Sequence, residues 1–149
     1  MSEVNTATRP TGPSPASRVA RLRMASFGAV TMLIIQFILG IVYNLYGTAP
    51  TAFKSVGLFS SPVLALHVIM SLLLLIAAVM LLVRAIGARH RLTIWMSAVG
   101  LIGIVAAGGA GIAFAGNGAA GSSLGMSIAF AVSLASYVVI LVFVPAQSA

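Results

Sequence analysis

Four apolar runs, at 24–46, 62–83, 92–114 and 125–144, constrain this chain more than any other feature. A helix crosses a hydrocarbon core with roughly 20 apolar residues, and each run is that long. The expected fold is all-α, an integral membrane four-helix bundle. Composition removes the soluble alternative. Soluble domains carry about a quarter charged residues, whereas this chain is 60% hydrophobic and 6% charged, with a mean hydropathy of +1.15. Its 149 residues leave no room for a second domain beside the spans. No cysteine is present, which excludes disulfides, thiolate nucleophiles, Cys-ligated zinc and iron–sulfur clusters.

The ends of the runs carry helix signals. Ser61-Pro62 supplies an N-cap and a first-turn proline for the second span. Ser122 and Ser123 are candidate caps for the fourth, and Gly87 is read as following the end of the second. Residues 1–23, rich in Pro, Ser, Thr and Ala, read as a disordered basic N-terminal tail, and 145–149 as a short C-terminal tail. A cleaved signal peptide is the competing reading of the start. The first run is longer than a signal core and contains Gln36, Tyr43 and Asn44, which favours a retained span.

Charge sets the expected orientation. Arg9, Arg18, Arg21 and Arg23 precede the first span, Arg84, Arg89 and Arg91 join the second to the third, and Lys54 alone falls on the opposite side. The positive-inside rule then predicts N-in/C-in topology, a multi-pass protein of the plasma (inner) membrane with both termini cytoplasmic. Topology therefore accounts for the basic composition without a nucleic-acid partner. Arg89-His90-Arg91 reads the same way, as a short cytoplasmic loop near anionic lipid heads with a solvated His90.

Polar residues within the spans fall on stripes. Gln36, Gly40, Tyr43, Asn44 and Gly47 share a face of the first span, where amides and small residues join helices. His67 is the single intramembrane residue that titrates near neutral pH, and the chain's one acid, Glu3, lies in the tail. An ionisable group at membrane depth is a functional-site hypothesis. It shares a face with Ser71 and is read as an outer-leaflet imidazole beside Asn44. Gly103, Ala107 and Gly111 form a small-residue packing series in the third span, facing either a span of the same chain or another subunit. Met126, Phe130, Ser133 and Tyr137 form a stripe in the fourth. By depth, the polar cluster belongs to the outer half, and the inner half reads as almost purely apolar. Phe53, Leu58 and Phe59 are expected to lay the outer loop 48–61 on the membrane surface.

Most chemical motifs fail on inspection. Gly116–Gly121 spells G-x-G-x-x-G, but no strand precedes it, so it reads as a flexible outer turn. Haem would use His67 with Met126 as the second axial ligand, or two copies of His67 across a symmetric dimer. Met70, three residues on in the same helix, cannot reach the opposite haem face. Small four-helix proton-coupled exporters rely on a membrane carboxylate, absent here, and hydrolysis lacks an acid–base pair.

The segments QFILGIVYNLYGTAP, LALHVIMSLLLL, GIAFAGNG and SSLGMSIAFAVSLASY together resemble a group of small, uncharacterised four-span bacterial membrane proteins. The likeness rests on Gln36, Gly40, Asn44, His67, Phe114, Gly118, Ser123, Met126 and Tyr137 and implies fold and topology only. A weaker likeness is to one four-helix half of haem A synthase, which uses histidines near outer helix ends. The chain lacks that family's Glu-x-x-His-Arg element and a second histidine in span four.

The expected role is non-enzymatic: an accessory or assembly subunit in the bilayer, packing through the third span against a membrane protein or a second copy. The rival is a ligand- or haem-binding module built on His67, Asn44, Gln36 and Met126. A small transporter is the third reading.

Overall fold

The computed structural model describes residues 15–144. Four helices fill it: α1 (Pro15–Tyr46), α2 (Pro62–Ala88), α3 (Arg91–Asn117) and α4 (Ala120–Phe143). At 1.5 Å per residue they run about 36–48 Å, longer than a hydrocarbon core of about 30 Å. All four are long and apolar enough to cross a membrane. No strand occurs among the described residues; the loop after α1 holds one isolated bridge, Thr51 to Lys54. Each helix packs on two neighbours, and the backbones of the diagonal pairs α1/α3 and α2/α4 come no closer than 8 Å between Cα atoms. Adjacent helices run antiparallel.

Several boundaries differ from the expectation. α1 begins at Pro15, so residues 15–23 are helical and not disordered. Proline suits a first helical turn, and Leu22 is 2% exposed in the core, which holds this turn in place. The tail before it, with Arg9, and residues 145–149 lie outside the described residues. Gly87 sits inside α2, and the left-handed cap is Arg89 at φ 55°, its N–H bonded to the Ile86 carbonyl. Ser122 and Ser123 lie within the first turn of α4, and Ala119 holds the cap position without a side-chain bond. The intervening turn is short. Gly118 closes α3 at φ 65°, and Asn117 Oδ1 accepts from Ala119 N–H at 2.9 Å. His90 has a structural task too: it is exposed, and its Nδ1 accepts from Thr93 N–H at the start of α3. Ser61 caps α2 as expected, its Oγ accepting from Leu64 N–H at 3.2 Å.

The core is a seam. Leu22, Ser26, Ala29, Leu33 and Gln36 of α1 are buried at alternating spacings of three and four, as are Leu74, Ala78, Leu81 and Ala85 of α2. Thr93, Ser97 and Gly100 on α3, and Ser133, Tyr137, Ile140 and Val144 at α4, continue the pattern. Such a 3.5-residue repeat is the seam of a left-handed bundle. The polarity is inverted relative to a water-soluble bundle. The interior holds hydroxyls and an amide, while Ile34, Ile35, Phe37, Ile38, Leu72 and Ile76 are among the many large apolar side chains left outside. An exterior of that kind suits hydrocarbon and not water.

Arg84, Arg89 and Arg91 stand at the end of the bundle that also holds the start of α1, and Lys54 stands at the opposite, loop end. The loop is fastened there. Val56 N–H donates to the Ala115 carbonyl at 2.9 Å, and Thr51 and Lys54 exchange backbone bonds of 3.0 and 3.1 Å. Gly118 presses against the Pro50 carbonyl, where any Cβ would collide. Phe53 and Phe59 point outward, and Leu58 is half-buried.

Candidate functional site

The polar cluster forms where α1 meets α2. Gln36 lies on the α1 seam and is 9% exposed. Its Nε2 donates to the His67 carbonyl at 3.0 Å and also to Ser71 Oγ. Ser71 Oγ, one turn beyond His67, donates to the same carbonyl at 2.9 Å. The arrangement follows from spacing, since residues four apart share a helix face. The imidazole packs on Gly40: a Cβ there would lie 3.5 Å from His67 Cε1 and 3.9 Å from Nδ1, ordinary contact distances.

Two atoms of this cluster, Gln36 Oε1 and His67 Nδ1, are buried with no hydrogen-bond partner among the described residues. A buried polar group left unpaired costs about 1–3 kcal/mol, so the cluster has capacity for one more polar group. It contains no carboxylate, and no group of three His, Cys, Asp or Glu is assembled among the described residues. The chemistry on offer is hydrogen bonding by an amide, a hydroxyl and an imidazole. Neither of two clefts at the loop end, of about 250 and 90 Å³, is lined by Gln36, His67 or Ser71.

Other expected members fall elsewhere. Asn44 is exposed and makes no hydrogen bond to His67; the seam that buries Gln36 and half-buries Gly40 leaves Asn44 outward. Tyr43 instead bonds locally, its Oη donating to the Thr48 carbonyl at 2.9 Å. Met126 belongs to α4, diagonal to α2 in the bundle, and its sulfur would be 3.5 Å from a Cβ on Gly111. Met126 thus packs at the interface of α3 and α4.

The small residues of α3 serve α4 of the same chain. A Cβ on Gly100 would stand 2.6 Å from Tyr137 Cζ, and one on Gly103 would strike Ser133 Oγ and come within 2.9 Å of the Ala129 carbonyl oxygen. Ser133 Oγ donates across the interface to the Gly100 carbonyl at 3.1 Å. Ala107, on the same series, is half-buried. Phe130 turns to α1 and stacks on Phe37, with ring centroids 5.0 Å apart.

The half of the bundle toward the arginine end is not the nearly apolar region expected. Ser26, Thr93 and Ser97 are wholly buried there, and Tyr137 is 0% exposed with its ring on Gly100. The hydroxyls of Ser26, Ser97 and Tyr137 have no partner among the described residues. The signal was present in the spacing: Ser26 continues the stripe of Gln36 by steps of three and four. No protein-family model matches this chain, and no curated protein or solved structure is significantly similar to it.

Proposed function

We propose that this chain is a non-enzymatic, multi-pass protein of the bacterial inner membrane, inserted N-in/C-in, that serves as an accessory or assembly subunit of a larger membrane complex. Six arginines at one end of the bundle, against Lys54 at the other, support the orientation. The observation that carries the role is the outward face of α3. Ala106, Gly109, Ala113 and Gly116 are exposed along one stripe at steps of three and four. Added Cβ atoms at Gly108, Gly109 and Gly116 would meet nothing within 4 Å. Small residues on a lipid-facing helix let another backbone approach closely. Because Gly100, Gly103 and Gly111 are already taken by α4, the partner surface is this second stripe and not the first.

Pulldown in mild detergent tests the assignment. Gly109→Leu and Ala113→Leu are expected to release a stoichiometric membrane partner while helicity is retained. An intact complex in both variants overturns the role.

A second reading, a ligand-binding module, draws on the unpaired Gln36 Oε1 and His67 Nδ1. An absorption spectrum of the same preparation discriminates for the haem case. A Soret band that disappears in His67→Ala would favour it over the accessory role.

A further inference from the structure

We propose that the loop end of α1 and α2 binds one anionic phospholipid, with its phosphate beside Lys54 and its first chain carbons against Val42 and Val63. This goes beyond the accessory role and uses a different face of the bundle.

Three observations converge. First, Lys54 has no acid to answer it, because positions 15–144 contain no Asp or Glu. Its counter-charge must come from outside the described chain. Second, Lys54 lines a cleft of about 250 Å³ together with Thr48, Ser55, Ser60 and Ser61. Water occupies about 30 Å³ per molecule in the liquid, so the cleft has the volume of roughly eight waters, enough for a phosphodiester and glycerol. Ser61 Oγ already accepts from Leu64 N–H, which leaves its own O–H to donate to a phosphate oxygen. Because this capping bond satisfies the α2 terminus locally, the lysine supplies the charge and the hydroxyls supply the donors.

Third, the polar cleft adjoins an apolar one. A second cleft of about 90 Å³ is lined by Val42, Tyr46 and Val63 and shares Tyr43 and Ser61 with the first. A soluble anion has no use for that extension, whereas a lipid carries its head and chain in this order. Tyr43, Tyr46 and the outward Phe53 and Phe59 mark the level as interfacial, where aromatic side chains sit between headgroup and hydrocarbon. The cleft is also preformed, since the Val56–Ala115 and Thr51–Lys54 backbone bonds hold its rim.

The test is native mass spectrometry of the full chain, released from detergent after incubation with equal amounts of phosphatidylglycerol and phosphatidylcholine. One phosphatidylglycerol should survive activation that strips other lipids. The preference for it should fall about fivefold in Lys54→Gln, the worth of one cation near an anionic lipid, and return in Lys54→Arg. Lys54 is exposed, so neither variant disturbs the core, and a melting curve checks this. Three results overturn the proposal: an unchanged preference in Lys54→Gln, loss of the preference only in Arg84→Gln or Arg89→Gln, or displacement of the lipid by excess inorganic phosphate. The last would assign the cleft to a soluble anion. None of these outcomes bears on the α3 pulldown, so the two readings fail separately.

Discussion

Replacing Gly103 by alanine places a methyl group onto Ser133 Oγ and within 2.9 Å of the Ala129 carbonyl oxygen. The serine can rotate, but the carbonyl belongs to the α4 backbone and can yield only if the helix moves. Overpacking of this kind costs about 1–3 kcal/mol. Rotation of Ser133 also breaks its bond to the Gly100 carbonyl, and an interhelical hydrogen bond in a membrane averages about 0.6 kcal/mol. Against this stands a helix-propensity gain of up to about 1 kcal/mol for Gly→Ala. The sum is a net loss of about 0.6–3.6 kcal/mol. Gly108→Ala on the same helix is the internal control, because nothing lies within 4 Å of its Cβ. It has the propensity gain alone and should be neutral or stabilising by up to about 1 kcal/mol. Reversible unfolding in mixed micelles, followed by far-UV circular dichroism, measures both. Equal stability of the two variants would refute the packing of α4 on α3 at this register.

Other outcomes follow from the same geometry. Gln36→Leu removes the donor to the His67 carbonyl and to Ser71, and should cost about 0.6–1.7 kcal/mol in the same unfolding assay. Gly118→Ala forces a Cβ into a left-handed residue already against the Pro50 carbonyl. The backbone penalty alone is about 1–2 kcal/mol, and the released loop should show faster hydrogen exchange at the Val56 amide. Because the chain has no native cysteine, single-cysteine labelling reads the topology cleanly. Ala52→Cys should react with a membrane-impermeant maleimide in intact spheroplasts, and Gly87→Cys only after lysis.

How far the fold was legible depended on which signal each part used. The four helices were written in unbroken apolar length, which only a helix can satisfy at membrane depth. Their ends were less legible, because Gly87 and Ser122 have the right chemistry for caps at positions where a neighbour does the capping. Arg89 accepts a left-handed conformation that glycine would adopt more easily. The Gln36–Ser71 contact was half legible: each stripe was readable, but its partner across the interface was not. Asn44 was misplaced because the seam's step after Gly40 is three residues, to the half-buried Tyr43, and Asn44 lies one residue beyond, about 100° round the helix. The buried hydroxyls of Ser26 and Ser97 were overlooked because serine in an apolar run looks like a small filler. Extending each stripe by its own three-and-four step would have reached both.

That extension changes the meaning of His67. Considered alone, an ionisable residue in lipid points to a site. In the structure it contributes chiefly its backbone carbonyl, which accepts from both Gln36 and Ser71 and so ties α1 to α2. Its ring lies beside Gly40. Elsewhere along the seam the same logic recurs: Ser133 bonds to the Gly100 carbonyl, and Tyr137 covers the glycine itself. In lipid there is no hydrophobic drive between helices, so close backbone approach and a few interhelical hydrogen bonds must hold the bundle. The interior of this chain is specialised for that task. Apart from the unpaired Gln36 Oε1 and His67 Nδ1, the surfaces open to an external molecule lie outside the seam, at the small-residue face of α3 and in the lysine cleft of the loop end.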